Sequence, residues 1–150
     1  MIKYKLLVLD LDGTLTNQKK EITPYTRDTL KKAQEAGVRI VLASGRPTYG
    51  VAPLADLLEL DKYGGCILSY NGGEIIDWKT GEMMYKNLLD PAVLPHLYSC
   101  AKEHGFSILS YDGKYVLTEY PEDKYVQHEA RLNKMEIKKV DNFLKAISHP

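Results

Sequence analysis

Two aspartates, Asp10 and Asp12, end a run of Leu, Leu, Val and Leu and are followed at once by Gly13 and Thr14. Carboxylates this close repel each other unless a cation or a shared proton relieves them. Hard oxygen ligands suit Mg²⁺, which keeps several waters and reaches substrate phosphates through one or two carboxylates. One acid then stays ionised, while the other can hold a proton part of the time and serve as a general acid. Gly13 lets the backbone turn sharply, so that N–H groups in the turn can face an anion. A second polar cluster, Ser44-Gly45-Arg46, also follows an apolar run and offers a hydroxyl, an amide and a guanidinium to phosphoryl oxygens. A third run ends in Tyr70-Asn71-Gly72, where Asn71 is either a substrate contact or part of an ordinary Asn-Gly turn. By composition this is a phosphate site.

The elements that must hold these residues follow from the apolar pattern. A short apolar run closed by a turn signal, as at residues 5 to 10, reads as a strand covered on both faces of a parallel sheet. In open α/β sheets ligands bind at the carboxyl ends of such strands. Thr23 and Pro24 are an N-cap and first-turn pair, and Gly37 is a stop, which predicts a helix over 24–36. A β-branched run from Val38 repeats the opening pattern, and a third run lies within 64–73. Between them Val51, Leu54, Leu57 and Leu58 fall at helical spacing, with Pro53 predicting a kink or a late start. Strand, helix, strand, helix, strand argues for an α/β fold with a Rossmann-like, doubly wound parallel sheet.

The texture changes after Glu74. Residues 74–86 read as a hairpin with Gly81 in its loop. Residues 1–86 therefore form the N-terminal part of the core, and 87–150 a small α+β unit of a different type. In that unit a helix starts at Asp90-Pro91 and ends at Gly105, and Asp112-Gly113 predicts a second hairpin. A helix over 122–134, a strand over 135–140 and the start of another helix complete it. His96, Cys100 and His104 share a helical face, which reads as a polar stripe rather than a zinc site.

Composition narrows the partners. Twenty Lys and Arg balance twenty Asp and Glu over 150 residues, so no basic field recommends nucleic acid or an anionic membrane. No apolar stretch reaches membrane-spanning length. Two cysteines, Cys66 and Cys100, make no disulfide framework and fit a reducing, cytoplasmic location. The expected partner is a small phosphorylated metabolite.

Asp10-Leu11-Asp12-Gly13-Thr14-Leu15 after an apolar strand resembles the first motif of the haloacid dehalogenase-like superfamily, and Ser44 after the second strand resembles its second. The wording ASGRP at 43–47 and YNGGEII at 70–76 is similar to the Cof-type branch of sugar phosphatases. The resemblance implies that Asp10 attacks phosphorus to give an aspartyl-phosphate and that Asp12 protonates the leaving oxygen and later activates water. It implies Mg²⁺ held by the Asp10 carboxylate and the Asp12 main-chain carbonyl, with Gly13, Thr14, Ser44, Gly45, Arg46 and Asn71 around the substrate. It also implies that the second unit is an inserted α+β cap.

The family pattern runs beyond this chain, which stops inside the cap. The phosphate-binding lysine and the Gly-Asp motif that complete such sites have no counterpart here, so a catalytically incomplete phosphate- and metal-binding fragment is the alternative to a phosphohydrolase. The first strand would be an apolar edge, an association hazard. It is expected to pair with another chain or to belong to a longer polypeptide. A calcium loop is disfavoured because position six of the loop counted from Asp10 is Leu15 where glycine is required. A receiver-type domain is disfavoured because the third strand ends without an acid.

Overall fold

The computed structural model describes residues 3–147. The chain divides into two compact units, Met1–Asn87 and Leu88–Pro150.

In the first unit a five-stranded sheet runs in the order β1 (Leu6–Asp10), β2 (Arg39–Ala43), β3 (Cys66–Ser69), β4 (Glu74–Asp77), β5 (Met83–Lys86). The first three strands are parallel, and β4 and β5 extend the same sheet as an antiparallel hairpin. α1 (Pro24–Glu35) links β1 to β2, and Thr23 caps it by accepting the Thr26 N–H at 3.2 Å. α2 (Thr48–Leu57) and the short α3 (Leu60–Tyr63) link β2 to β3. Of the two expectations for this helix, a kink or a late start at Pro53, the late start is not met: α2 begins five residues earlier and Pro53 lies inside it. Ile40, Leu42, Val51, Ala55, Leu58, Leu60 and Ile67 are fully buried together and hold sheet and helices in one core. Burial of such side chains contributes roughly 1.5–3 kcal/mol each.

One expectation about β1 is corrected. The strand is not covered on both faces: Leu7 and Leu9 pack on the core, while Leu6 and Val8 are exposed. Alternate side chains of a strand face opposite ways, and the core covers only the side of Leu7 and Leu9.

The second unit holds a three-stranded sheet of β6 (Leu109–Asp112), β7 (Tyr115–Thr118) and β8 (Glu136–Lys139), with β6 antiparallel and β8 parallel to β7. The hairpin loop is Gly113-Lys114, one residue later than the Asp-Gly pair suggests, because Asp112 still pairs with Tyr115. Gly113, at φ 54°, takes the left-handed position. α4 (Leu94–Glu103) precedes the sheet, α5 (Lys124–Asn133) links β7 to β8, and α6 (Phe143–Ala146) follows it. Val116, Val126, Ala130 and Met135 form its core.

Candidate active site

Strand register sets the site. Asp10 pairs with Ala43, and Ala43 pairs with Leu68, so the carboxyl ends of β1, β2 and β3 are level. Asp10 ends β1, and the loops that leave the three strands carry Asp12, Gly13, Thr14, Ser44, Gly45, Arg46 and Asn71.

In the first loop, buried Leu11 and Leu15 are pins, and Asp12, Gly13 and Thr14 between them are exposed. The Leu15 N–H donates to the Asp10 carbonyl at 3.1 Å, and the Thr16 N–H and hydroxyl donate to the Leu11 carbonyl at 2.9 and 2.8 Å. Gly13 stands at φ 87°, a conformation that a side chain disfavours. Anchored apolar residues thus hold a polar tip outward.

The two aspartates differ. Asp12 receives Arg46 Nε at 2.8 Å and Arg46 Nη2 at 2.6 Å on its two oxygens, and Lys20 Nζ at 2.8 Å. The Arg46 hydrogen bonds, with help from Lys20, hold its carboxyl down at about 2, against the opposing effect of burial. Asp12 is therefore ionised at neutral pH. Two cations relieve its charge, where the sequence suggested a metal ion or a shared proton. Asp10 is exposed, and among the described residues no ion pair or side-chain hydrogen bond engages its carboxylate.

Arg46 is 7% exposed, and its guanidinium is directed at Asp12 across 34 residues of sequence. Ser44 is buried, and its Oγ accepts the Arg46 N–H at 3.2 Å, which leaves the hydroxyl proton free to donate elsewhere. The third loop is laced onto the second. Tyr70 N–H donates to the Arg46 carbonyl at 3.0 Å and Asn71 N–H to the Ser44 carbonyl at 3.1 Å. Tyr70 and Asn71 both stand in the left-handed region, at φ 51° and 54°. For a bulky Tyr this costs roughly 1–3 kcal/mol, and for Asn less.

Lys20 escaped the sequence reading. Asn17 Oδ1 accepts the N–H groups of Lys19 and Glu21 at 2.8 and 3.1 Å, and this turn, with Lys20 at φ 62°, delivers the ammonium to Asp12. An Asn opening a polar stretch is the signal for such a turn, but nothing in it names the target.

Among the described residues no three His, Cys, Asp or Glu side chains gather as a metal cluster, and His104 Nδ1 lies 2.9 Å from the Cys100 carbonyl. Two hard oxygens remain at the loop, the unencumbered Asp10 carboxylate and the Asp12 carbonyl. That set fits a cation that keeps most of its waters.

A model of the haloacid dehalogenase-like hydrolases matches residues 7–150. A crystal structure of a haloacid dehalogenase-like hydrolase from Bacteroides thetaiotaomicron superposes with a TM-score of 0.93 at 59% identity, over 99% of this chain and 56% of that one. The Bacillus subtilis protein named "Putative phosphatase YxeH" is 39% identical over 100 residues, 67% of this chain and 37% of its own. The pyridoxal phosphate phosphatase YbhA of Escherichia coli is 27% identical over 117 residues, 78% of this chain and 42% of its own. The chain thus spans about half the length of these relatives or less. With level strand ends, an Asp-x-Asp-Gly loop and a family model that covers nearly all its residues, the chain belongs to the haloacid dehalogenase-like hydrolases.

Proposed function

We propose that the protein is a phosphohydrolase that cleaves small phosphate esters, sugar phosphates among them, through an aspartyl-phosphate on Asp10. One observation carries the assignment: of the two neighbouring carboxylates, only Asp10 has no cation among the described residues, and it lies level with the Ser44 loop. Asp10 attacks phosphorus as the bond to the leaving oxygen breaks, and a proton taken up beforehand by Asp12 passes to that oxygen. In the second step water attacks the aspartyl-phosphate, its proton passes to Asp12, and Asp10 and inorganic phosphate are released.

The ionised Asp12 has the form required to accept that proton. Protonating the leaving oxygen requires Asp12 to gain a proton first, which the Arg46 and Lys20 contacts oppose. Arg46 thus acts by holding Asp12, while the Ser44 hydroxyl, the Gly45 amide and the loop at Gly13 and Thr14 surround the transferring group. Mg²⁺, held by the Asp10 carboxylate and the Asp12 carbonyl, would neutralise phosphoryl charge. In this reading the second unit belongs to the cap. The edge of β1, first in the sheet order, is where a second chain or a further segment would pair.

The test is phosphate release from a panel of sugar phosphates and a chromogenic ester, with and without Mg²⁺, for the protein and its Asp10→Asn variant. The reading expects Mg²⁺-dependent turnover that falls about a thousandfold in the variant. Turnover that survives the substitution removes Asp10 from the nucleophile's role. A second reading, binding of phosphate and metal without turnover, is favoured by the absence of further acids beside Asp10 among the described residues. Phosphate binding with no release from any ester would select it.

A further inference from the structure

Thr48, the first residue of α2, makes more hydrogen bonds than a helix start requires. α2 opens without a side-chain cap, since Pro47 stands at the N-cap position, and no acid lies in its first turn. An acid at that end would complement the helix dipole. It is supplied by another element: Glu74, at the start of β4, accepts the Thr48 hydroxyl at 3.0 Å. The cation beside Glu74, Lys86 Nζ, is 3.6 Å away on a half-exposed side chain, so Thr48 is the closer partner of this largely buried carboxylate.

The protons of this cluster have one order. A hydroxyl has a single proton to give. Thr48 gives its own to Glu74, so in the 2.7 Å contact between Thr48 and Ser69 it is Ser69 that donates. Ser69 is fully buried at the end of β3. The chain of donors thus runs from Ser69 through Thr48 to Glu74. The Thr48 N–H is engaged as well, by the Tyr70 hydroxyl.

These contacts lie two residues from Arg46. Backbone bonds from Tyr70 and Asn71 hold the carbonyls of Arg46 and Ser44, and Thr48 holds the point where the segment turns into α2. The Arg46 side chain leaves from between these fixed points and meets both oxygens of Asp12, at 2.8 and 2.6 Å. The Arg46 N–H that donates to Ser44 Oγ depends on the same stretch of main chain. A bidentate contact tolerates little displacement at the root of the side chain. Compensating the helix alone would be simpler with an acid or a Ser in its own first turn, without the desolvation of a Glu on a strand.

We infer that Thr48 is a positioning residue: its hydroxyl, held between Ser69 and Glu74, fixes the start of α2 so that Arg46 reaches both oxygens of Asp12 and the Ser44 loop keeps its shape for a phosphoryl group. The effect on Asp12 follows from the geometry of Arg46, and the effect on phosphate rests on the phosphohydrolase reading above.

The experiment compares the 150-residue chain with Thr48→Val, which keeps the shape and the N–H but removes the hydroxyl, and with Thr48→Ser, which restores the hydroxyl. Two quantities are read by ¹H–¹⁵N NMR well below the melting temperature: solvent exchange of the Arg46 Nε–H, which donates to Asp12, and the affinity for inorganic phosphate with Mg²⁺ from the Ser44 and Gly45 amides. In Thr48→Val the Nε–H should exchange about tenfold faster and phosphate should bind about tenfold more weakly, the effect of one hydrogen bond to a charged group. Thr48→Ser should return both to within about twofold of the parent.

If Thr48→Val melts lower but leaves the Arg46 Nε–H and phosphate affinity as in the parent, Thr48 is a contact of the fold only and the inference is overturned. A Thr48→Ser variant that behaves like Thr48→Val overturns it too, since the hydroxyl is then not the cause. Should Thr48→Val fail to fold, Glu74→Gln takes its place, with faster exchange at Arg46 expected and an unchanged Nε–H contradicting the inference. A parent that binds no phosphate removes the phosphohydrolase reading, and the Arg46 Nε–H still decides whether Thr48 positions Arg46.

Discussion

Arg46–Asp12 in the first unit and Lys114–Glu136 in the second are ion pairs of nearly equal length, 2.6 and 2.8 Å, in very different surroundings. Arg46 is 7% exposed and grips both oxygens of Asp12, whereas Lys114 and Glu136 are 48% and 63% exposed and meet at one. A buried, bidentate guanidinium fixes a carboxylate in place. An exposed ammonium is screened by water and gives back in side-chain entropy most of what it gains. Length alone therefore does not mark a site. The first pair joins two strand-end loops and the second joins a hairpin to a neighbouring strand, and only the first can shape a binding surface.

This contrast fails if the two pairs respond alike to substitution. The largest effect is expected from Arg46→Ala, which leaves the Asp12 charge partly buried and opens a void beside Ser44. It should lower the stability of the first unit by about 2–4 kcal/mol. Urea unfolding followed by fluorescence checks it, because Trp78, the single tryptophan, lies in that unit and donates to Asp56 at 2.9 Å. An effect under about 0.5 kcal/mol would put Arg46–Asp12 in the same class as Lys114–Glu136.

Acid should act next. The Asp12 carboxyl lies at about 2 in the fold against an ordinary 3.8. Its contribution is therefore fully present above about pH 4 and is lost as the pH falls from there through about 2. Allowing for solvent screening of a side chain that is one-third exposed, the loss should be about 1 kcal/mol. The same urea curves at pH 5 and pH 2.5 should show it in the parent, with the difference reduced in Asp12→Asn. Thr16→Val removes a buried hydroxyl from the Leu11 carbonyl, which keeps the Thr16 N–H, and should cost about 1 kcal/mol at the same probe. Smallest is Lys114→Ala, expected within about 0.5 kcal/mol of the parent in a melt of the second unit followed by circular dichroism. A larger loss would mean that the hairpin depends on its surface charges.

The same contrast explains what the sequence could and could not announce. Asp10, Asp12, Gly13 and Ser44 were legible because residue types at fixed spacing after apolar runs mark strand ends, and parallel register then levels those ends. That Arg46 pairs with Asp12 was not. Its target is 34 positions away, and a guanidinium beside a phosphate loop reads as a phosphate donor until the fold shows which oxygen it reaches. Lys20 was invisible for the same reason. The exposed face of β1 was misread because an apolar run announces a strand but not how many of its faces are covered. Tyr70 at positive φ could not be read either, since the Asn-Gly signal marks a turn at 71–72 and says nothing of the bulky residue before it.

The central claim is that Asp10, the carboxylate that no cation engages among the described residues, takes the phosphoryl group. The direct measurement is to quench the protein during turnover of a chromogenic phosphate ester with Mg²⁺, reduce any acyl phosphate with borohydride, and map the reduced residue by peptide mass spectrometry. The account predicts reduction of Asp10 to homoserine in the parent and none in Asp10→Asn. Reduction at Asp12, or steady turnover with no acyl phosphate at any residue, would contradict it.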